Sequence, residues 1–514
     1  MKEKKFQNKN NKKSMKNISQ ETMNKKNIPE EILWVCEMLS KNNFDSYLVG
    51  GCVRDLFLSR EPGDWDITTN ATPDEIINIF GEDETVYENP FGTVGIKIRK
   101  GEGETEEVEI VEVTTYRKEG EYKDFRRPDK LEWGKTIEED LERRDFTMNA
   151  IAYNPIKDIL KDIYKGQNDI KDKIIRTVGK AEERFGEDAL RMLRAIRFSA
   201  QLDFVISSET LEAIFKLAPN LEKISKERIR DEFIKIIMSK NPMQGLLISQ
   251  KLGLLKYISS ELESAVGVEQ NGHHAFDVFE HSLRALNHAA EREFDLETRL
   301  AALFHDIGKV KTRRFDETKK DYTFYGHEVV SERITKKVLE ELKMERKVVE
   351  KTCKLVRYHM FFSDPNEVKL SSVRRLIVNI GKENIWDLIN LRLCDRMGSG
   401  TKKEEPWRLR KFESMIEEAL RDPISLKTLK IDGEKIMNLL NERPGKKIGL
   451  ILHALFEEVI DDASKNNLEY LEAKVLELNK LSETELENLG TSGKDKMQNM
   501  NEEELEEIKK KFRV

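Results

Sequence analysis

The stretch LVGGCVRDLFLSREPGDWDITT, residues 48–69, carries the densest chemical pattern in the chain. Its apolar start predicts a strand that ends at a Gly-Gly pair, where a helix is expected to begin. Asp64 and Asp66 alternate on the strand predicted next, which places both carboxylates on one face. Mg²⁺ prefers oxygen ligands and often binds through one or two carboxylates together with substrate phosphates. The stretch therefore predicts a Mg²⁺ site that serves a phosphate-bearing substrate.

Three further residues of this stretch suit a triphosphate. Gly50 and Gly51 allow the backbone to approach phosphate closely, and Arg54 lies one helical turn on, where its guanidinium can meet phosphate charge. Taken singly, Gly-Gly and Asp-x-Asp are ordinary loop sequence. Their combination favours a nucleotide site with two metal ions, which would activate an attacking hydroxyl and neutralise phosphate charge.

The composition indicates a cytoplasmic protein without membrane association. The chain is 38% hydrophobic and 36% charged, and it contains no run of about 18 apolar residues that could cross a bilayer. Its four cysteines are scattered without CxxC pairing, as expected of reduced thiols in the cytoplasm. Because the formal net charge is -7, any RNA-binding site must be a local basic patch.

Changes of pattern divide the 514 residues into five predicted segments. Residues 1–27 form a Lys- and Asn-rich tail that is expected to be disordered. Residues 28–165 alternate strand-like runs (YLVGGCV, GTVGIKI, VEIVEVTTY, AIAYNP) with helical stretches, which predicts a compact α/β domain. Helical patterns dominate the remaining segments, which are residues 166–265, 266–400 and 401–514.

Residues 48–69 resemble the signature of the class II tRNA nucleotidyltransferases and bacterial poly(A) polymerases, a branch of the polymerase-beta-like superfamily. The stretch EEDLERRDFTMNAIAYNP, residues 138–155, resembles the second motif of that family. The resemblance implies a nucleotidyltransferase head with a mixed sheet, followed by an all-α neck. It also implies that Arg144, Asp145 and Asn149 contact the ribose and phosphates of the incoming nucleotide.

The stretch RFGEDALRMLRAIRFSAQL, residues 184–202, resembles the nucleotide-selecting helix of the family. Its charged residues recur at helical spacing, so Asp188 and Arg191 are expected near each other on one face. The resemblance implies that this pair hydrogen-bonds the base of CTP and then of ATP without a nucleic-acid template. Arg194 and Arg197 would belong to the same nucleotide site. A solvated salt-bridge face is the alternative interpretation.

The segment between the two motifs bears on specificity. Residues 114–133 are rich in charge and poor in core residues, which is typical of a mobile surface loop. In the family this loop helps to switch specificity from C to A, and its full length here favours complete CCA addition. Glu112, just before the loop, is either a third carboxylate near the metals or an ordinary strand-surface residue.

A second group of metal ligands lies downstream. His305 and Asp306 are adjacent within the apolar stretch LAALFHDIGKV, and their burial would be costly unless a metal or a hydrogen-bond network compensates. With the residues around it, this pair resembles the HD phosphohydrolase superfamily. The resemblance implies two sets of ligands for divalent metals, with Lys309 steadying a phosphate. The first set is His281, His305, Asp306 and Asp395, and the residues that complete a second site are His327 and His359. Such ligands suit Mn²⁺, Fe²⁺, Ni²⁺ or Mg²⁺.

From about residue 405 onward, the pattern of the C-terminal segment predicts a series of amphipathic helices. Residues 431–433 followed by residues 443–445 resemble the tRNA-binding tail of the family. There a helix N-terminus with Lys446 and Lys447 would contact backbone phosphate. A packed helical bundle with a solvated basic loop is the alternative.

The resemblances together imply an enzyme that adds CCA to the 3′ end of tRNA from CTP and ATP. They imply Mg²⁺ at the transfer site and a divalent metal at the HD site. Poly(A) addition and A-only addition are the alternatives within the family. In a hypothesis of a different class, the HD domain is a metal-dependent phosphohydrolase that supplies the main activity, and the N-terminal domain only binds RNA. The sequence leaves the oligomeric state open.

Overall fold

The computed structural model describes residues 27–89, 92–100, 107–119, 131–271, 275–361, 368–401, 406–420, 426–487 and 489. These residues form two compact units. The first unit contains the described residues up to Asp188 together with Val205–Ala213, and the second contains Ala189–Phe204 and the described residues from Ile214 onward. The predicted tail, except Asn27, and residues 120–130 of the predicted loop lie outside the described residues.

The first unit is built on a seven-stranded mixed sheet. The strands of the first unit are β1 (Ser46–Val49), β2 (Asp66–Thr69), β3 (Thr85–Asn89), β4 (Thr93–Lys100), β5 (Glu107–Thr115), β6 (Arg117–Glu119), β7 (Leu131–Trp133), β8 (Ala152–Asn154), β9 (Ile159–Lys161), β10 (Ile174–Ile175) and β11 (Val205–Ile206). The main sheet has the order β3-β4-β5-β2-β1-β8-β9, while β6 pairs with β7 and β10 with β11. Within the main sheet β2 and β5 run parallel and the other neighbours are antiparallel. The four predicted strands are thereby confirmed, as is the α/β class.

The first unit also contains six α-helices among its described residues up to Asp188. They are α1 (Glu30–Lys41), α2 (Gly51–Phe57), α3 (Pro73–Phe80), α4 (Ile137–Glu142), α5 (Gly166–Asp172) and α6 (Ala181–Glu187). The starts of α3 and α4 are fixed by capping boxes, in which Thr72 and Thr136 exchange hydrogen bonds with Glu75 and Glu139. α4 ends at Glu142, so Arg143 and Arg144 lie directly after its last turn.

One prediction for the first motif is wrong. Asp64 does not share a strand with Asp66, because β2 begins at Asp66 and Asp64 lies in a bend. Pro62 precedes this bend and Gly63 is part of it, and both residue types favour a turn over a strand.

The second unit is almost entirely helical, and the predicted helical body is confirmed for its described residues. Its helices are α7 (Leu190–Leu202), α8 (Ser208–Leu217), α9 (Lys226–Ile237), α10 (Pro242–Lys251), α11 (Leu255–Ile258), α12 (Ser260–Ser264), α13 (Val278–Glu291), α14 (Leu296–Phe304), α15 (Lys309–Thr312), α16 (His327–Glu341), α17 (Arg346–Tyr358), α18 (Leu370–Ile380), α19 (Ile385–Gly398), α20 (Trp407–Leu420), α21 (Gly433–Leu440), α22 (Lys446–Asp461) and α23 (Leu468–Leu478). The unit boundary after Ala213 falls within α8. A hairpin of β12 (Arg314–Asp316) and β13 (Asp321–Thr323) follows α15.

The helix predicted across residues 184–202 is two helices. α6 ends at Glu187, Asp188 has extended backbone angles (φ -143°, ψ 104°), and α7 begins at Leu190. Aspartate is unfavourable inside a helix because its short carboxylate competes for nearby backbone groups. The prediction that Asp188 and Arg191 share one helical face is therefore wrong.

Around α14 the second unit is densely packed. Residues Thr298–Phe304 of this helix are all buried, and α13, α17 and α19 pack against it. Gly308 follows α14, and a Cβ atom there would lie 2.3 Å from the His327 carbonyl oxygen. Only glycine therefore lets the start of α16 approach the end of α14 so closely.

The C-terminal helices α21, α22 and α23 share a hydrophobic core that includes Ile451, Leu455 and Val475. α22 begins at Lys446, as the predicted helix N-terminus requires. Lys446 pairs with Glu487 at 2.6 Å, and Lys447 donates to a backbone carbonyl. Contact of these lysines with tRNA stays a prediction.

No helix of the described residues is both long and apolar enough to cross a membrane. All four cysteines are free and buried. This agrees with the reduced thiols expected from their spacing.

Candidate active sites

The turn between β1 and α2 brings three predicted residues together. Gly50 has φ +78°, a left-handed conformation that residues with side chains rarely adopt. A Cβ atom at this position would lie 3.2 Å from Arg144 Nη1 and 3.4 Å from Asp66 Oδ2. Residues from two distant sequence motifs therefore meet at one backbone turn.

The acidic residues gather at the start of β2. Asp66 is the first residue of this strand, and its register partner on the parallel strand β5 is Glu112. Partners in register leave a sheet on the same face. Asp64 lies two residues before Asp66, and all three residues are exposed. Glu112 thus lies beside Asp66, and its role as a third carboxylate near the metals stays a prediction.

Electrostatics at this point favour a cation. Although Asp66 reaches solvent, the surrounding protein partly desolvates its carboxylate and raises its pKa. Arg144 opposes this shift, and the negative charge of Asp64 adds to it. A bound cation relieves the repulsion between like charges that lie this close together. An all-carboxylate set of oxygen donors fits Mg²⁺.

Arg54, Asn149 and Asp145 form a buried chain of hydrogen bonds. Arg54 Nη1 donates to Asn149 Oδ1 at 3.0 Å, and Asn149 Nδ2 donates to Asp145 Oδ1 at 3.4 Å. Arg54 Nε also donates to Asp55 at 2.9 Å. These hydrogen bonds connect α2 to the second motif. Because these Arg54 contacts are with protein side chains, its predicted contact with phosphate stays a prediction.

Asp140 is a site residue that sequence reasoning missed. It is fully buried, and its Oδ2 accepts hydrogen bonds from Nε and Nη2 of Arg144 at 3.3 and 3.0 Å. Its Oδ1 accepts from Arg143 Nε at 2.9 Å. With two nitrogens held in this way, Arg144 turns Nη1 towards Gly50. The spacing of Asp140 from the two arginines, three and four residues, was the signal that could have identified it.

The predicted base-selecting residues lie on either side of the helix break. Asp188 precedes α7, and Arg191, Arg194 and Arg197 lie on it. Arg191 and Arg197 are buried, which contradicts the alternative of a solvated face at those two positions. Arg197 Nη1 donates to Glu232 on α9 at 3.0 Å. Arg197 is thus part of a buried ion pair, and contact of these residues with a nucleotide stays a prediction.

In the second unit four predicted metal ligands meet at the end of α14. His305 and Asp306 follow that helix, His281 lies on α13 and Asp395 on α19, with donor atoms within 4.8 Å of one another. His281 Nε2 lies 3.1 Å from His305 Nε2, and 3.2 and 3.3 Å from the nearest oxygens of Asp306 and Asp395. Three of the four residues are buried. We call these four residues the first HD set.

Asp306 links the first HD set to a second one. Its Oδ2 faces His281 and His305, whereas its Oδ1 lies 3.2 Å from His327 Nε2 and 3.7 Å from His359 Nε2. The Nε2 atoms of His327 and His359 are 3.3 Å apart. A carboxylate with one oxygen towards each group of histidines is suited to bridge two metal ions.

Backbone carbonyls fix the orientation of three of these rings. The Nδ1 atoms of His305, His327 and His359 lie 2.7 to 2.9 Å from carbonyl oxygens. Since a carbonyl only accepts, each Nδ1 carries a proton in the neutral ring and each Nε2 presents a lone pair to the cluster. Burial lowers the pKa of His359 to about 4, so this ring is neutral at pH 7. Nitrogen lone pairs and carboxylates in such a group fit a divalent transition metal.

Lys309 is buried beside the bridging carboxylate. Its Nζ donates to Asp306 Oδ2 and to Gln270 Oε1, both at 2.7 Å. Its positive charge holds the pKa of Asp306 well below the usual range, although burial alone would raise it. Gln270 was not predicted, and nothing in its local sequence sets it apart. Contact of Lys309 with a phosphate stays a prediction.

Three family models match the chain. They are the poly A polymerase head domain at residues 46–176, a model described as "Probable RNA and SrmB- binding site of polymerase A" at residues 203–266, and the HD domain at residues 278–390. A CCA-adding enzyme of Ligilactobacillus salivarius is 45% identical over 235 residues, which cover 45% of this chain and 55% of that enzyme. The chain thus spans about half the length of this curated relative.

Solved structures extend the likeness beyond that region. The CCA-adding enzyme of Bacillus stearothermophilus in complex with CTP matches with a TM-score of 0.66 at 26% identity, over 88% of this chain and 97% of that one. The CCA-adding enzyme of Thermotoga maritima complexed with tRNA matches with a TM-score of 0.51 at 21% identity, over 87% and 95% of the two chains. The second likeness concerns the fold alone.

The head, RNA-binding and HD models follow one another along the chain. In the first unit, residues of both sequence motifs meet at the turn that contains Gly50. The chain therefore contains, in this order, regions similar to the poly A polymerase head domain, to the RNA-binding region of polymerase A and to the HD domain.

Proposed function

We propose that this chain adds CCA to the 3′ end of tRNA, with CTP and ATP as substrates and Mg²⁺ as the cofactor of the transfer site. The meeting of Gly50, Asp66 and Arg144 carries the proposal. It offers, at one turn, a carboxylate for a cation, an arginine for phosphate and an open approach to the backbone. The relatives named as CCA-adding enzymes support CCA addition over other transfers.

The residues of the head have separate tasks in this proposal. Asp64 and Asp66, with Glu112 alongside, would hold Mg²⁺, which supplies charge neutralisation on the triphosphate and lowers the pKa of the attacking hydroxyl when bound. The tRNA 3′ oxygen bonds to the α-phosphorus, and the bond to the leaving pyrophosphate breaks. Arg144 donates Nη1 to a phosphate oxygen, because Asp140 holds two of its other nitrogens. Base selection by Asp188 and Arg191 is proposed from the family resemblance.

Asp140→Asn is expected to weaken both the fold and the reaction. The variant removes the charged acceptor that both guanidinium groups contact, so the free energy of unfolding should fall by about 2–3 kcal/mol. Nucleotide addition should fall at least about tenfold, since a tenfold loss needs only about 1.4 kcal/mol of lost orientation at Arg144. Urea unfolding and single-turnover addition measure the two effects. Asp74→Asn, an exposed first-turn acid of α3, is the matched control and should change neither.

Product lengths separate CCA addition from its rivals. Three tRNAs, ending before CCA, after C and after CC, are each incubated with CTP, ATP or both, in the presence of Mg²⁺. Arrest after the terminal A on every tRNA supports the proposal. A single A added only to the CC-ended tRNA would mean A-only activity, and a long A tail would mean a poly(A) polymerase. No extension on any tRNA would overturn the proposal.

A second activity is proposed for the HD cluster, namely metal-dependent hydrolysis of phosphoesters. The position of Asp306 between two groups of histidines favours it, since a bridged pair of metals can hold both the attacking and the leaving oxygen. The full-length protein with added Mn²⁺ or Ni²⁺ is expected to release p-nitrophenol from bis(p-nitrophenyl) phosphate. EDTA should remove this activity and fresh metal should restore it. Hydrolysis without any tRNA extension would favour the HD-centred alternative.

A further inference from the structure

No side chain of the hairpin β12–β13 or of its flanks has a role in the activities proposed above. We call residues 311–325 the basic hairpin. They contain five lysines and arginines against three carboxylates, a local charge of +2 in a chain whose net charge is -7. One of these carboxylates, Asp316, accepts hydrogen bonds within the hairpin turn. A basic segment in an acidic chain is suited to a polyanionic partner.

Aromatic rings and cations alternate on this hairpin. The Arg313 guanidinium lies 3.7 Å from the centre of the Tyr322 ring. Phe315 faces Tyr322 across the strand pair, with ring centres 5.4 Å apart in an edge-to-face arrangement. Phe315 is 53% exposed and Tyr325 is 55% exposed. The hairpin therefore presents two accessible aromatic side chains among cations that include the exposed Arg314.

The basic hairpin leads directly into the metal cluster. The carbonyl oxygen of Phe324 lies 2.8 Å from His327 Nδ1 and fixes that ring. Lys309 Nζ lies 5.6 Å from the centre of the Phe324 ring and 2.7 Å from Asp306. Tyr325 is two residues before His327 in the chain. A chain molecule held on the hairpin would thus lie beside the HD cluster.

We propose that the basic hairpin binds single-stranded RNA and delivers it to the HD cluster. The delivery step rests on the HD hydrolysis proposed above, whereas the binding step does not. Exposed aromatic rings stack on bases of any sequence, and neighbouring cations contact the phosphates. In a duplex the faces of the bases are already stacked, so the hairpin prefers single strands. The HD cluster accordingly acts on polynucleotide phosphoesters in preference to small ones.

Fluorescence anisotropy of full-length protein with a labelled short oligouridine tests the binding step. Replacement of both exposed aromatic residues (Phe315→Ala with Tyr325→Ala) should raise Kd about tenfold or more. Phe315→Tyr keeps a stacking ring and should bind like the wild type, which separates loss of stacking from loss of folding. Arg314→Glu should reduce the salt dependence, the slope of log K against log salt, by about 0.7 for each lost phosphate contact.

Matched controls come from the same unit. Trp407→Ala removes an aromatic residue that is also 55% exposed, and Lys347→Glu makes the same charge change as Arg314→Glu on an exposed site of α17. Both should leave Kd within about twofold of wild type, an effect typical of surface substitutions. Equal Kd values for the hairpin variants and the wild type would overturn the proposal. The proposal would also be overturned if the hairpin variants lost as much affinity for duplex RNA, or for a polyglutamate peptide, as they lose for oligouridine.

Hydrolysis assays keep the two proposals distinct. The hairpin variants should hydrolyse bis(p-nitrophenyl) phosphate at the wild-type rate, because the metal ligands are untouched, but should lose activity on an RNA substrate. If the wild type hydrolyses neither compound, the HD activity and the delivery step fail. The anisotropy series then still decides whether the basic hairpin binds RNA.

Discussion

Asp66→Asn is expected to abolish nucleotide addition while the protein stays folded. The amide removes a negative charge from the group formed with Asp64 and Glu112, so single-turnover addition of AMP to a tRNA ending in CC should fall by about 10³-fold or more. The stability effect has the opposite sign. Because the folded protein raises the pKa of Asp66, ionising this residue costs stability, and the neutral amide should keep or slightly raise Tm.

The control for this prediction is again Asp74→Asn, which removes one carboxylate charge from the same unit at an exposed position. It should leave addition and Tm unchanged. Phosphodiester hydrolysis at the HD cluster should be the same in both variants. Addition by Asp66→Asn at a rate near wild type would contradict the assignment of this residue to metal binding.

Asp306→Asn is expected to abolish metal binding by both groups of HD ligands, although it alters only one residue. The two oxygens of Asp306 face different groups of histidines, and a neutral amide offers only one good oxygen donor. Metal analysis of the full-length protein should show a fall from about two ions per chain to fewer than one, and hydrolysis should drop by about 10²-fold or more.

A comparison with His327→Ala sharpens this test. His327 belongs to the second group of ligands alone, so its loss should remove one ion and leave the first HD set occupied. Neither variant should alter tRNA extension. Retention of both ions in Asp306→Asn would contradict a bridging role for this carboxylate.

Much of the architecture could be predicted because strong local patterns agree with the fold. The runs at β1, β4, β5 and β8 are strand-like in sequence, and the structure has strands in all four places. The burial of His305 and Asp306 in an apolar stretch indicated that they need a partner, and the full set of HD ligands was implied by the resemblance to the HD superfamily. The structure brings these residues together, and metal binding by them stays a prediction.

The misses depend on features that the local pattern does not show, namely the burial of a charged residue, contacts between distant residues and single backbone angles. Asp140 is a charged helix residue whose importance appears only when its burial and its two arginine partners are known. The partnership of Arg197 with Glu232 joins residues 35 positions apart. The break at Asp188 is one extended residue within a strongly helical pattern.

Sequencing of the RNA made from a tRNA that lacks CCA, with CTP, ATP and Mg²⁺ all present, tests the central claim most directly. The reaction should yield a single product extended by C, C and A in that order, and Asp66→Asn should yield none. A product with a run of A residues, or no extension by the wild-type protein, would contradict CCA addition by this chain.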